Sequence, residues 1–216
     1  MTDTTTLSAR LRAVSFGGHR QPDDDQTDGR YGERYLHGGL TGAQVAAQAA
    51  LHFFVYEAIE AKLAEHLERD PDFAFAFPEL IRLPAIERDL EHWLGADWRS
   101  QIEPTPTTKR YVERIQEVGD QPHLFVAHHY TRYLADLSGG QMIAAMHREA
   151  YGLSDRKGAE FYDFPEIESI PEFKNEYRAA LDAAGFSDEQ IRELEDEVRL
   201  AYDFNNQAGQ ELNSVL

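Results

Sequence analysis

The sequence predicts an all-α fold, a single domain of about seven or eight helices. Helix-start patterns are each followed by apolar residues at helical spacing, which is typical of helices packed on one core. No stretch alternates between apolar and polar residues for long enough to suggest a sheet. The chain has 216 residues, of which 42% are apolar, enough to build one core.

The first long helix is predicted from a capping-box pattern at Thr41 to Gln44. Behind it, side chains recur on one helical face at Val45, Ala49, His52/Phe53, Tyr56, Ile59, Leu63 and Leu67. A second capping box, Ser187 to Gln190, begins the last predicted helix, whose apolar face continues to Asn205.

Three further helices are predicted between these two, over residues 78–94, 105–119 and 122–152, with proline or glycine at their boundaries. Residues 20–40 and 153–171 are predicted to be irregular. We treat residues 1–216 as one domain, with residues 1–40 atypical and residues 205–216 as a C-terminal tail.

The charge and composition exclude several classes of protein. A formal net charge of −18 argues against a nucleic-acid binder, which needs a basic surface. The chain has no cysteine, so disulfides, zinc–thiolate sites, iron–sulfur clusters and a cysteine nucleophile are excluded. Without an apolar run long enough for a membrane span or a signal peptide, we expect a soluble, cytoplasmic protein with no membrane partner.

Two adjacent glycines, Gly139 and Gly140, interrupt the longest predicted helix. Each costs about 1 kcal/mol relative to alanine in a helix interior, so their presence needs a reason. The apolar period continues on both sides, which predicts a helix that bends at this point. Either a neighbouring helix or a flat ligand approaches the bare backbone here, with Arg132 and Asp136 nearby.

Two pairs of basic residues are candidates for binding anions. Arg12 and His19 are seven residues apart and, on a helix, would share a face about 10 Å apart, roughly the distance from a porphyrin centre to its carboxylate edge. Lys174 and Arg178 have i, i+4 spacing and could bind anionic groups together, although such a pair is also common on a solvated helix face.

The run from Leu124 to Gln141, LFVAHHYTRYLADLSGGQ, resembles the distal-helix signature of the heme oxygenase family. Other segments that resemble the family are FAFAFPEL from Phe73, ERDL from Glu87, Thr105-Pro106 to Val112, FKNEYR from Phe173 and AYDFN from Ala201. The resemblance covers residues 40–205 well and residues 1–40 poorly.

Membership of this family would imply a specific reaction. Heme, as cofactor and substrate, would be cut at a meso carbon to biliverdin, carbon monoxide and ferrous iron. Dioxygen and electrons from a ferredoxin or a flavoprotein reductase would be consumed. A non-catalytic heme sensor on the same fold is the alternative, while the related diiron oxidases need an acid and histidine set that the C-terminal part of this chain lacks.

The resemblance also implies a role for individual residues. His19 corresponds to the axial ligand of the heme iron, and Asp136 to the carboxylate that orders distal water. The residues that correspond to propionate-binding positions are Arg12, Tyr130, Lys174 and Arg178. Those that correspond to positions touching heme are Ala135, Ser138, Gly139 and Gly140. Those that correspond to the distal polar network are Tyr56, Arg132 and Asn205.

Two departures from the family pattern bear on these roles. Ala135 stands where the family has glycine, and its methyl group could crowd the distal side. Near His19, Gly17-Gly18 precede and Pro22 follows, so the proximal helix is predicted to end near His19. His37 is the alternative ligand if the length difference lies on the other side of the site.

The remaining histidines and the phenylalanine cluster are interpreted as structural. His128 and His129 are adjacent on one helix and point to different faces, so they cannot act together on one atom. Phe73, Phe75 and Phe77 are more typical of packing than of a cofactor site.

Overall fold

The computed structural model describes residues 5–18 and 30–216, with side chains for 5–15 and 30–216. In these ranges the structure contains helices and no strand, which confirms the all-α prediction. The α-helices are α1 Leu7–Gly18, α2 Arg30–His37, α3 Gly42–Arg69, α4 Leu83–Leu94, α5 Pro106–Val118, α6 Pro122–Tyr151, α7 Ile170–Ala183 and α8 Asp188–Glu211. Short 3-10 turns lie at Pro78–Leu80, Trp98–Ser100, Glu160–Tyr162 and Leu212–Val215. None of the helices described is long and apolar enough to cross a membrane.

Both predicted capping boxes are present. The Thr41 hydroxyl accepts a hydrogen bond from the Gln44 backbone N–H at 3.3 Å, and the Gln44 side chain accepts one from the Thr41 N–H at 2.9 Å. Ser187 and Gln190 exchange the same pair of bonds at the start of α8. Each box satisfies backbone donors that the first turn of a helix leaves without partners.

Two predicted element boundaries are wrong. The segment 20–40 is not irregular throughout, because α2 forms within it and buries Tyr31 and Tyr35, which are one helical turn apart. The helix predicted over 78–94 begins only at Leu83. Its first turn contains Pro84, which lacks an N–H and is tolerated only near a helix start.

Helix α6 lies at the centre of the fold and contacts α2, α3, α5, α7 and α8. Most of its first half is buried, from His123 to Leu134 except for the partly buried Arg132. Helix α1 packs on α7 and α8, which brings the N-terminal segment beside the middle of α6. The side chains of the functional site are therefore carried by the helices that surround α6.

Helix α6 continues through Gly139 and Gly140, as predicted, while the bend stays a prediction. The two glycines meet different surroundings. A Cβ atom at Gly140 would lie 3.3 Å from Cδ1 of Tyr162, so this glycine permits close packing within the protein. A Cβ atom at Gly139 would meet no protein atom within 4 Å, so this glycine borders open space.

Candidate functional site

A cleft of about 570 Å³ lies between α1, α6, α7 and α8. This volume is in the range of pockets that bind small molecules and cofactors. Its lining residues are Arg12, Ser15, Tyr130, Leu134, Ala135, Ser138, Gly139, Lys174, Arg178 and Tyr202. Seven of these ten were predicted from the sequence to contact heme or its propionates.

Three cations, Arg12, Lys174 and Arg178, gather at this cleft from two different helices. Burial lowers the pKa of the Lys174 ammonium group, and the positive charges of Arg178 and Arg12 lower it further. The residues found to line the cleft include no Asp or Glu. A ligand with two carboxylates would relieve the repulsion among these cations.

Hydroxyl groups connect α7 and α1 to α6 at the cleft. Lys174 donates a hydrogen bond from Nζ to the Ser138 hydroxyl at 2.7 Å, and Ser15 donates one to the Tyr130 hydroxyl at 3.3 Å. Burial raises the pKa of Tyr130, which keeps the phenol neutral. The polar groups are therefore fixed at one side of an otherwise largely apolar cleft.

The floor of the cleft is formed by α6 at Ala135, Ser138 and Gly139. Because an added Cβ at Gly139 would meet no protein atom, bare helix backbone faces open space there. A flat apolar ring could lie directly against it, so the residues present fit heme. Ala135 also borders the cleft, which places the residue that departs from the family pattern beside the predicted ligand.

A second cavity of about 270 Å³, which we call the distal chamber, lies on another face of α6. It is lined by Gly32, Tyr35, Leu36, Gln48, His52, Arg132, Asp136, Ile143 and Tyr162. On α6, Arg132, Asp136 and Ile143 share the chamber face, while Tyr130, Leu134 and Ser138 share the cleft face.

The chamber contains the acid and the cation predicted for the distal network. The Tyr56 hydroxyl donates a short hydrogen bond to Oδ2 of Asp136, and Arg132 donates one to the Asn205 Oδ1 at 2.7 Å. The Arg132 guanidinium also lies over the Tyr56 ring, 5.2 Å from its centroid. Tyr56, Arg132, Asp136 and Asn205 therefore form one connected group.

Burial shifts both charged groups toward their neutral forms. It raises the pKa of the Asp136 carboxyl well above its usual range and lowers the pKa of the Arg132 guanidinium. Nε of Arg132 is buried without a hydrogen-bond partner among the described residues. Such a group calls for water or a ligand nearby.

The structure does not bring every predicted residue together in the same way. His19, the predicted iron ligand, lies outside the described residues, whereas its alternative, His37, is exposed at the end of α2. Gly140 packs on Tyr162 and does not line the cleft. Lys174 and Arg178 lie on one face of α7 and both line the cleft, while their binding of propionates stays a prediction.

Sequence reasoning missed several residues of both cavities. Ser15, Leu134 and Tyr202 line the cleft, while His52 and Tyr162 are prominent in the chamber. The spacing of His52, four residues before Tyr56 on α3, was the available signal, because i and i+4 side chains share a face. Tyr162 had no such signal, since its position depends on an irregular segment.

The two adjacent histidines and the phenylalanine cluster pack in the core or against it. His129 hydrogen-bonds Tyr177 on α7 through Nδ1 at 2.7 Å, whereas Nε2 of His128 lies 3.0 Å from Glu197 on α8, so the two rings point to different faces as predicted. Phe73 stacks on His66, and Phe75 and Phe77 pack against Tyr177, as expected for packing residues.

Comparison with known proteins identifies this arrangement. The family model "Heme oxygenase" matches residues 5–211. The chain belongs to the heme oxygenase family. It is 45% identical over 210 residues to the heme oxygenase of Pyropia yezoensis, covering 97% of this chain and 87% of that protein. These similarities confirm the predicted family, enzyme class and function.

Solved structures agree with this family assignment. Heme oxygenase-2 of Synechocystis sp. PCC 6803, in complex with heme and NO, superposes with a TM-score of 0.87 at 30% identity, covering 98% of this chain and 86% of that one. Heme oxygenase-1 of the same cyanobacterium, in complex with heme, gives 0.86 at 30% identity, covering 97% of this chain and 93% of that one.

Proposed function

We propose that this heme oxygenase binds heme in the 570 Å³ cleft and cleaves it at a meso carbon to biliverdin, carbon monoxide and ferrous iron. The observation that carries the proposal is the cleft itself, where three cations stand at one side of an exposed stretch of helix backbone at Gly139. Heme supplies the iron that binds and activates dioxygen.

The cations and Tyr130 orient heme by its two propionates. Arg12, Lys174 and Arg178 would bind these carboxylates by charge-assisted hydrogen bonds, which are stronger than neutral ones. The attraction between these cations and the propionates matters more in a protein with a formal charge of −18, because its many negative charges repel an anionic ligand. Binding the propionates at one place would select one orientation of heme in the cleft.

Asp136 supplies a proton from the distal side. Because Tyr56 donates to Oδ2, the other carboxyl oxygen, Oδ1, carries the proton of the neutral acid that burial favours. Asp136 lines the chamber, so it would pass protons to the heme site through water held there. Arg132, held by Asn205, keeps a positive charge beside this path.

The axial ligand and the electron donor complete the proposal. His19 is assigned as the iron ligand on the sequence resemblance, since a neutral imidazole suits ferrous heme. Electrons come from a separate ferredoxin or flavoprotein reductase. A cytoplasmic location remains a prediction from the sequence.

The test is hemin titration followed by turnover. We expect a one-to-one complex with the spectrum of histidine-ligated heme, and biliverdin with carbon monoxide when ascorbate or a ferredoxin system supplies electrons. A specific complex that yields no biliverdin would identify a non-catalytic heme binder. A titration without any specific complex would refute the proposal.

The ligand assignment is tested by a matched pair of variants, His19→Ala and His37→Ala. We expect only His19→Ala to change the axial ligation and abolish turnover. The opposite result would move the iron ligand to His37, at the end of α2.

A further inference from the structure

The distal chamber contains a buried histidine, His52, that has no role in the reaction described above. It lies on α3, is 7% exposed, and lines the same cavity as Arg132 and Asp136. A buried polar ring at a cavity wall is costly unless its nitrogen atoms have hydrogen-bond partners.

The ring is held in a defined protonation state. Nε2 of His52 lies 2.8 Å from Nε2 of Gln48, and because an amide nitrogen can only donate, the imidazole Nε2 accepts. The proton of the neutral ring is therefore on Nδ1. Burial, assisted by the positive charge of Arg132, lowers the pKa of His52 well below its usual range, so the ring stays neutral at physiological pH.

The orientation of the ring is fixed by aromatic contacts. The Phe161 ring lies against it with centroids 4.2 Å apart, and Tyr56 and Tyr162 meet it edge-on at 6.2 and 6.4 Å. Tyr56 is itself the hydrogen-bond donor to Asp136. The imidazole therefore packs directly against the residue that positions the proton-delivering acid.

The chamber has both the space and the partners to hold water. A cavity of about 270 Å³ accommodates several water molecules when polar groups line it. The described polar groups that face it are Arg132 and Asp136 from α6, Tyr35 from α2, Tyr162 from the 3-10 turn, and Gln48 with His52 from α3. The unpartnered Nε of Arg132 adds a donor that requires such water.

The chamber also reaches the surface on the side of α2 and α3. Gly32 lines it and is exposed, and Gln48 beside it is partly buried. His52 follows Gln48 by one helical turn, and Tyr56 follows His52 by another. One face of α3 thus carries a polar row from the rim of the chamber to the donor of Asp136.

We propose that His52 is a positioning residue of the reaction, which together with Gln48 orders the chamber water that passes protons to Asp136. The inference rests on the proposed function and adds to it a supply route for protons along α3. His52 acts as a neutral donor and acceptor and not as a titrating acid.

The experiment compares His52→Leu, which removes the polar atoms, with His52→Gln, which retains them. Using the heme complex, we would measure the rate of biliverdin formation, its solvent isotope effect, and the pH midpoint of the spectral transition of the ferric complex. His52→Leu should lower the rate about tenfold, below the 10²–10⁴-fold typical of a group that transfers the proton directly. It should also raise the isotope effect and shift the midpoint, whereas His52→Gln should stay near wild type in all three.

His66→Leu is the matched control. His66 is also on α3 and 5% exposed, but it hydrogen-bonds the Gly119 carbonyl at 2.7 Å and is not among the residues of the chamber. It should change the unfolding temperature without moving the isotope effect or the pH midpoint. A His66→Leu variant that moved both as far as His52→Leu would overturn the proposal, because loss of any buried histidine would then suffice.

Two further outcomes are decisive. If His52→Leu does not bind heme, the variant Gln48→Leu is tested in its place, because this change leaves the His52 ring buried and removes only the hydrogen-bond partner of the ring. An unchanged rate and pH midpoint in Gln48→Leu would overturn the proposal. Wild-type protein that makes no biliverdin would refute the proposed function, whereas an active wild type with unaltered His52→Leu would refute this inference alone.

Discussion

Two faces of one helix, α6, border cavities of different character. The cleft face, at Tyr130, Ser138 and Gly139, is open, apolar at its floor and bordered by cations. The chamber face, at Arg132 and Asp136, is more polar and is connected by hydrogen bonds to α3 and α8. The residues predicted to bind heme and those predicted to form the distal network thus line two neighbouring cavities.

The separation has a chemical consequence. A carboxyl group in the cleft would repel the propionates and touch the reacting oxygen directly. Asp136 lines the chamber instead, where burial raises the pKa of its carboxyl group well above the usual range. The small residues between the two faces allow the substrate to approach the backbone that separates them.

The largest effect is expected from the chamber face. Asp136→Ala should lower biliverdin formation about 100-fold, because proton delivery contributes 10²–10⁴-fold to such reactions. Peroxidase activity toward an added phenol should rise as porphyrin cleavage falls. Single-turnover spectra report the loss, and heme titration should give an affinity within about threefold of wild type.

A large loss of heme affinity in Asp136→Ala would contradict the division between the faces. In that case the carboxyl group would contribute to binding, and the two faces would not be separate in function.

The next effect is expected from the cations of the cleft face. The double variant Lys174→Ala/Arg178→Ala should weaken heme binding about tenfold, or 1.4 kcal/mol, since partly exposed ion pairs are screened by solvent. Mixed biliverdin isomers should appear, because heme can then rotate in the cleft. Soret titration and chromatography of the isomers measure the two effects.

Arg192→Ala/Arg199→Ala is the matched control, because it removes the same charge from exposed positions of α8. It should leave both the affinity and the isomer pattern unchanged. Equal weakening in both double variants would assign the effect to net charge and not to the cleft.

Alanine substitutions at Gly139 and Gly140 should change the free energy of unfolding by different amounts. Gly139→Ala should raise the free energy of unfolding by about 1 kcal/mol, the helix propensity gained, because its Cβ meets no protein atom. It should also impair heme binding, since the methyl group enters the space beside the cleft. Gly140→Ala should gain little or nothing, because its Cβ lies 3.3 Å from the Tyr162 ring.

Urea unfolding of the heme-free protein and Soret titration together test this pair. If Gly139→Ala bound heme as wild type does, bare backbone at that position would not be part of the binding surface.

The smallest effect is expected at Ala135, which borders the cleft. Ala135→Gly should cost about 1 kcal/mol of unfolding free energy, because the residue is exposed in a helix. Its biliverdin yield per heme should rise modestly as the methyl group is removed. An unchanged yield would show that the departure from the family pattern is neutral.

Most of the fold could be predicted because its signals are local. The capping boxes at Thr41 and Ser187 place the starts of α3 and α8 without reference to the rest of the chain. The start of α4 could not be placed as well, since Pro84 is compatible with a kinked helix or with a first turn. Helix α2 was missed because it is short and is stabilised by burying Tyr31 and Tyr35 against other elements.

The residues of the candidate site also divide into those that the sequence predicted and those that it did not. The residue types on the cleft face came from a contiguous signature and from the i, i+4 pair on α7, and the structure brings these to one cleft. His52 and Tyr162 were not predicted as site residues. The i, i+4 spacing of His52 and Tyr56 was the one local signal, and nothing in the local sequence of Tyr162 places it beside Asp136.

The sequence by itself determined where most helices form and which residues of α6 and α7 share a face, because periodicity and capping act between neighbours in the chain. Only the tertiary structure decided that Arg12 joins Lys174 and Arg178, and that His52 shares a chamber with Arg132 and Asp136. These groupings depend on how α1, α3 and α7 pack around α6. Such packing is set by contacts between residues far apart in sequence, which no local pattern records.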